Sequence, residues 1–183
     1  MPNANEMLVH EMLVKATDEN VVQAKVDAEN LRGRRARWVN LTAEHLQLFP
    51  QLTVQYMKDL TFGTFQVYLA PSYIQDSSLR IDENDELEDD DNKTIQLDQI
   101  TNEAGFIRIR LYSRFRNATK HQIWISYNED HENDLGFKNE DDPILGYYCT
   151  CKAGARTLGT CSHVASILWY LGYARHENNI KYP

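Results

Sequence analysis

The sequence predicts an α+β protein in which N-terminal helices precede a small antiparallel sheet of three or four strands and a C-terminal helix closes the chain. Apolar residues recur at helical spacing in the first third, alternate with polar residues beyond residue 94, and return to helical spacing after residue 161. Of the 183 residues, 42% are hydrophobic and 25% are charged. This composition is typical of a folded domain that buries its own core, and it excludes a wholly disordered chain.

Four segments follow from these patterns. Residues 1–31 predict a helical arm, residues 32–75 a mostly helical segment, residues 76–93 a flexible acidic loop, and residues 94–183 the sheet with the closing helix. The apolar stripe of the arm is typical of a helix that packs on a core or on a partner. The second segment begins with the basic run RGRRAR, which is either a phosphate-contacting patch or a solvated helix face.

The net charge of −8 comes from one tract. Residues 82–91, DENDELEDDD, contain eight acidic residues and no basic ones. Without those eight, the remaining 19 acidic residues equal the 19 lysines and arginines. The acidic composition therefore does not exclude an anionic partner.

The second predicted strand, residues 106–115, has two chemically different faces. Strands are also predicted near residues 94–100 and over residues 121–127. The polar face of the second strand carries Arg108, Arg110, Tyr112, Arg114 and Arg116. Basic side chains around an aromatic ring suit a nucleic-acid backbone and a stacked base. The other interpretation is an exposed strand face whose arginines pair with acids, which the acidic loop of residues 128–143 would supply.

The three cysteines cluster within thirteen positions, beside one histidine. Cys149 and Cys151 form a Cys-x-Cys pair, and Cys161 and His163 form Cys-x-His nine residues later. Thiolate and imidazole are the ligands that Zn²⁺ prefers, and four of them close a tetrahedral structural site. A strained redox disulfide and plain buried thiols are the alternatives, but neither explains a complete set of four. Four protein ligands leave no open position for a substrate, so a catalytic zinc ion is not expected.

The surroundings of the four residues predict how they converge. Gly154 and Gly159 give the connecting loop room to turn. Ser162 is the expected N-cap of the closing helix, so that the last cysteine precedes the helix and the histidine lies in its first turn. Gly172 lies where a helix C-terminal glycine is expected. Lys152 and Arg156 in the loop would offset the negative charge of the centre.

This arrangement resembles the SWIM-type zinc finger, in which Cys-x-Cys, a spacer and Cys-x-His lead into an apolar helix. The match covers residues 148–171. The longer string CKAGARTLGTCSHVASILWYLGYARH is similar to a narrower group of animal proteins linked to mobile elements, in which the module follows a DDE-type transposase domain, and a looser similarity covers residues 31–183. The resemblance implies a SWIM-type zinc loop at residues 149–163, with Cys149, Cys151, Cys161 and His163 as Zn²⁺ ligands. It supplies no catalytic residues, because the chain is too short for a transposase catalytic core.

We therefore expect a zinc-binding, non-catalytic accessory module of a transposon-derived protein that binds DNA. The expected DNA-contacting residues are Arg108, Arg110, Tyr112, Arg114, Arg116, Lys152 and Arg156. The alternative is a protein-interaction or oligomerisation module for a transposase or a related partner. An enzyme with a Cys–His pair is disfavoured, because zinc would quench the thiolate. The chain has neither a membrane-spanning apolar run nor an N-terminal signal pattern, so an intracellular, nuclear protein is expected.

Overall fold

The structure is a computed structural model. It describes residues 19–33, 38–41, 43–62, 64–76, 96–100, 103, 105–112, 120–129, 142–156 and 158–180. The predicted acidic loop from residue 77 onward, most of the acidic loop of residues 128–143, and residues 1–18 of the arm lie outside these ranges, as do Arg114 and Arg116.

Along the chain, one helix and one short strand are followed by three helices, four strands and a closing helix. They are α1 (Val21–Ala28), β1 (Trp38–Asn40), α2 (Ala43–Gln47), α3 (Val54–Thr61), α4 (Thr64–Asp76), β2 (Gln96–Ile100), β3 (Phe106–Tyr112), β4 (Lys120–Tyr127), β5 (Ile144–Cys149) and α5 (Ser162–Gly172), followed by a 3₁₀ turn over Ala174–His176. The α+β class is confirmed. Within the described part of the chain, no helix combines the length and the apolar character needed to cross a membrane.

The sheet is an antiparallel meander of five strands in chain order. It exceeds the predicted three or four strands because β1 joins one edge and β5 adds six residues at the other. Strand β1 has only three residues and directly follows the basic run, so it leaves no alternating pattern that sequence analysis would detect.

The main core lies between one face of the sheet and the helices α4 and α5. Alternate residues of β3 and β4 contribute Ile107, Ile109, Ile123 and Ile125, all fully buried. Helix α5 contributes Val164, Ile167, Leu168 and Leu171, the apolar stripe that the sequence predicts. This burial fixes the position of α5, and therefore of the residues at its start, relative to the strands.

The opposite face of the sheet is also covered, which the sequence did not predict. Val22 and Val26 of α1 pack with Leu31 against Phe106, Trp124 and Tyr148. The second half of the predicted arm is thus part of the protein's own core. Asn20 is the N-cap of α1, and its side chain accepts a hydrogen bond from the Gln23 backbone N–H.

Helices α3 and α4 follow one another closely within the segment that the sequence predicts to be mostly helical. Thr53 caps α3 by accepting a hydrogen bond from the Tyr56 backbone N–H at 3.1 Å. Phe62 then takes a left-handed conformation with φ of 65° and separates α3 from α4. Helix α4 continues beyond Leu69 to Asp76 and includes Pro71.

Gly172 ends α5, but its role differs from the predicted one. The described glycines with positive φ are Gly105 and Gly159, so Gly172 does not supply a left-handed cap. Its importance is steric. A Cβ atom at this position would lie 2.5 Å from Cγ of Leu52, whose backbone N–H donates to the Gly172 carbonyl at 2.7 Å.

Replacing Gly172 with Ala should therefore destabilise the protein by about 1–3 kcal/mol, the usual cost of overpacking a core. Urea unfolding followed by circular dichroism measures this change. The double variant Leu52→Ala/Gly172→Ala removes the two closest atoms, Cγ and Cδ1 of Leu52, and leaves only its Cβ at 3.0 Å, so its loss should be smaller than the sum of the two single losses. Strictly additive losses would contradict the steric explanation.

Candidate metal centre

The structure brings Cys149, Cys151, Cys161 and His163 together at one end of the sheet. Their potential ligand atoms, three sulfurs and one imidazole nitrogen, all lie within 4.8 Å of one another. Cys149 and Cys161 are buried, whereas Cys151 and His163 are partly exposed. All three cysteines are free thiols.

The first two cysteines are held by the end of β5 and a tight turn. Cys149 is the last residue of β5, and its backbone N–H donates to the Gly154 carbonyl at 3.0 Å. The Gly154 N–H donates to the Cys151 carbonyl at 2.9 Å. A Cβ atom on Gly154 would lie 1.9 Å from the Cys149 carbonyl oxygen, so only glycine allows this turn.

The other two residues are held by the start of α5. Cys161, and not the predicted Ser162, is the N-cap: its Sγ accepts a hydrogen bond from the Val164 N–H at 3.5 Å. The helix begins one residue earlier than a serine cap would require, because the sulfur itself satisfies a free N–H of the first turn. His163 lies in that first turn, as predicted.

The loop between the two halves is fastened to the strand behind it. The Tyr147 hydroxyl donates to the Gly159 carbonyl at 2.8 Å, and Gly159 takes a φ of 67°. Burial, followed by the nearby Cys161 and Asp142, raises the pKa of Tyr147 to about 12, so the phenol keeps its proton. This hydrogen bond holds the loop against β5 without any metal–ligand bond.

The three thiols are too close together to ionise independently. Hydrogen bonds from Cys149 and Cys161 hold the pKa of the Cys151 thiol far below its usual value. Hydrogen bonds with Cys151 and Cys161, together with burial, raise the pKa of the Cys149 thiol. The first thiolate therefore forms on Cys151, the most exposed of the three, and further ionisation needs a nearby positive charge.

A divalent metal ion fits this donor set. Four ligands at the distances typical of zinc stand about 3.5–3.8 Å apart, so the observed cluster needs to contract by only about 1 Å. The Nδ1 atom of His163 is buried and has no hydrogen-bond partner within the described part of the chain, which is costly for a polar atom unless a ligand satisfies it. The three thiols and one imidazole are soft and borderline donors, which favour zinc over magnesium or calcium.

His121, which the sequence did not indicate as a site residue, lies next to this centre. Its ring centroid is 4.4 Å from that of His163, and the ring of Tyr73 contacts His163 from another direction at 5.3 Å. Burial, together with the neighbouring His163, lowers the pKa of His121. The alternation of Ile123, Ile125 and Tyr127, continued backwards by two residues, places His121 on the same face and is the signal that would have found it.

The residues predicted to contact nucleic acid differ in their exposure. Lys152 and Arg156 are exposed on the loop of the centre, as expected. Arg110 is half-exposed, with its guanidinium bound to Asp98 at 3.0 Å. Tyr112 lies at the end of β3, and Arg114 and Arg116 lie outside the described residues.

The prediction that Arg108 is exposed is wrong. It is 8% exposed, donates to Asp98 Oδ2 at 2.8 Å, and lies under the ring of Trp38, 4.0 Å from the ring centroid. Arg108 is buried because β1 adds Trp38 to this face of the sheet and because α1 covers the neighbouring residues. Arg108 is therefore a structural residue and is no longer a candidate for phosphate contact.

Asp98 balances two arginines in a nearly dry environment, so its loss should be severe. Asp98→Ala leaves the Arg108 charge buried and uncompensated, and we expect about 3–5 kcal/mol lower stability in urea unfolding. Arg110→Ala, which removes the half-exposed partner, should cost about 1 kcal/mol or less. Equal losses for the two variants would contradict the role of Asp98 as the counterion of Arg108.

Comparison with known proteins gives no assignment. No protein-family model matches the chain, and neither a curated protein nor a solved structure matches it. The resemblance to the SWIM-type zinc finger therefore stays a prediction.

Proposed function

We propose that this protein is a zinc-binding, non-catalytic module whose metal ion is structural. The observation that carries the proposal is the convergence of four donor atoms within 4.8 Å. Three thiolates and one imidazole would complete a tetrahedral shell from the protein alone, so no position would remain for a substrate or an activated water.

The placement of the donors explains what the ion would stabilise. Two ligands end β5 and two begin α5, so the ion would join the sheet to the helix that buries its core face. The intervening loop contains little apolar surface of its own and is exposed at Lys152, Ala155 and Arg156. A metal ion would supply the stabilising contacts that this loop lacks.

Removing the ion should unfold the C-terminal part of the protein. In small finger peptides structural zinc contributes roughly 10–16 kcal/mol, whereas a whole domain is stable by only about 5–15 kcal/mol. We expect one equivalent of zinc in the purified protein, and loss of the near-UV circular dichroism signal after treatment with a strong chelator or in Cys161→Ala.

Ser162→Ala is the matched control for Cys161→Ala, because Ser162 is the neighbouring residue and its side chain is not the cap. It should retain both zinc and the near-UV signal. A protein that loses all its metal to the chelator and keeps its near-UV spectrum would contradict a structural role.

A second function, DNA binding in the nucleus, is favoured by one observation: the candidate zinc loop presents two exposed cations. Lys152 and Arg156 are both exposed, and among the residues that the structure describes neither has a side-chain ion pair. With Arg108 buried, we propose that this loop, and not the middle of β3, is the main phosphate-contacting surface. The origin from a mobile element remains part of this proposal and rests on the sequence resemblance alone.

DNA binding should weaken with salt in proportion to the phosphates contacted. Each contact contributes about 0.9 to the slope of log affinity against log salt concentration. Lys152→Ala and Arg156→Ala should therefore each reduce the slope by about 0.9 in fluorescence anisotropy with random duplex DNA.

Lys25→Ala is the control, because Lys25 pairs with Glu29 and Glu103 at 2.8 and 2.7 Å and is not available to a phosphate. It should leave the slope unchanged. Absence of binding at low salt, or equal slopes in all three variants, would rule out this loop as the DNA surface.

A further inference from the structure

His121 is placed beside the candidate metal centre by the pairing of β4 with β5. Ile123 lies opposite Cys149 in this pair. The pairing continues for one more step, because the Thr150 N–H donates to the Gln122 carbonyl at 3.0 Å and the Gln122 N–H donates to Thr150 Oγ1 at 3.1 Å. The next residue of β4 is His121, and Cys151 follows in the turn just beyond the end of β5, so this pairing brings His121 to the end of the sheet where the centre lies.

Strand geometry also places His121 on the correct face. Side chains alternate along a strand, so His121 lies on the same side of β4 as Ile123. Ile123 faces Cys149 across the pair, and the ring of His121 lies against that of His163, so this imidazole is on the side of the sheet that holds the four donors. The centre thus has a second imidazole next to one of its thiols, contributed by a strand that carries none of the other donors.

The two imidazoles are neighbours. Their ring centroids are 4.4 Å apart and their planes are inclined by 48°. His121 is half-buried. It is not one of the four residues whose donor atoms lie within 4.8 Å of one another, so it would have to rotate toward the space that His163 occupies.

We propose that His121 is an alternative ligand of the metal centre, able to take the fourth coordination position in place of His163. The three cysteines would then hold the ion with either histidine. This inference rests on the proposed metal binding and adds to it a fifth donor. It also implies that the imidazole position is the exchangeable one, because a departing His163 has a second imidazole beside it.

The competing explanation is that His121 merely packs its ring against His163. His121→Phe distinguishes the two, because phenylalanine keeps an aromatic ring at this position and lacks a nitrogen donor. The experiment uses the full chain loaded with Co²⁺, whose visible absorption reports tetrahedral coordination by thiolates, and compares the wild type with His121→Phe, His163→Ala and His163→Ala/His121→Phe.

His163→Ala should keep a tetrahedral Co²⁺ spectrum with affinity lowered by about tenfold, and the double variant should fall by about a further 100-fold or lose the spectrum, because it has no imidazole left. His121→Phe alone should retain the wild-type spectrum. Equal affinities for His163→Ala and the double variant would overturn the inference. A wild type that does not bind Co²⁺ would overturn the proposed metal binding as well, so the two failures are distinguishable.

A second measurement applies if near-UV circular dichroism shows that His163→Ala does not fold. In the presence of His163, the rate of Co²⁺ transfer to a chelator should be several-fold faster in His121→Phe than in the wild type, because a released ion is no longer recaptured by the second imidazole. Equal rates, with equal affinities, would overturn the inference.

Discussion

The packing of α5 against the sheet is the constraint on which the rest of the structure depends. Its apolar stripe, from Val164 to Leu171, is buried against the isoleucines of β3 and β4. The first turn of the helix is thereby held beside the end of β5. The four potential ligands come from two short segments, and neither segment alone contains more than two of them. Without the buried helix, the two Cys-containing pairs would be joined only by a loop, and their convergence would carry the full entropic cost of closing it.

The candidate centre combines rigid and adjustable parts. Cys149 and Cys161 are buried in regular structure, and the turn at Gly154 permits no other residue. Cys151 and the two histidines lie toward the solvent, where side chains have more freedom. This division fits the proposed structural ion, which would be held mainly by sulfur and whose nitrogen position would be the least fixed. The second polar cluster, in which Asp98 and Arg108 are buried, lies on the other face of the sheet.

Much of the candidate site was predictable from the sequence, because it depends on local spacing. The four residues, the glycines of the loop and the stripe of α5 all follow from patterns within about fifteen residues. The errors arose from contacts between distant segments. Strand β1 and helix α1 cover the face that Arg108 was expected to expose, and nothing near Arg108 in sequence indicates Trp38. His121 was missed because its alternation with Ile123 and Ile125 indicates only its face of β4, and the register of β4 with β5 is needed to place it beside the centre.

The side chain of Asn20 has a consequence beyond the start of α1. Its amide nitrogen donates to the carbonyl oxygens of Tyr147 and Arg156, at 3.0 and 3.2 Å. Tyr147 belongs to β5, the last strand of the meander, so one of the outward-facing carbonyls of that strand is already occupied. The opposite margin, β1, is only three residues long. One edge strand of the sheet thus has a backbone carbonyl that is already hydrogen-bonded, and the other edge strand is short. Both features make the sheet a poor template for an added strand, which protects the protein from edge-to-edge aggregation.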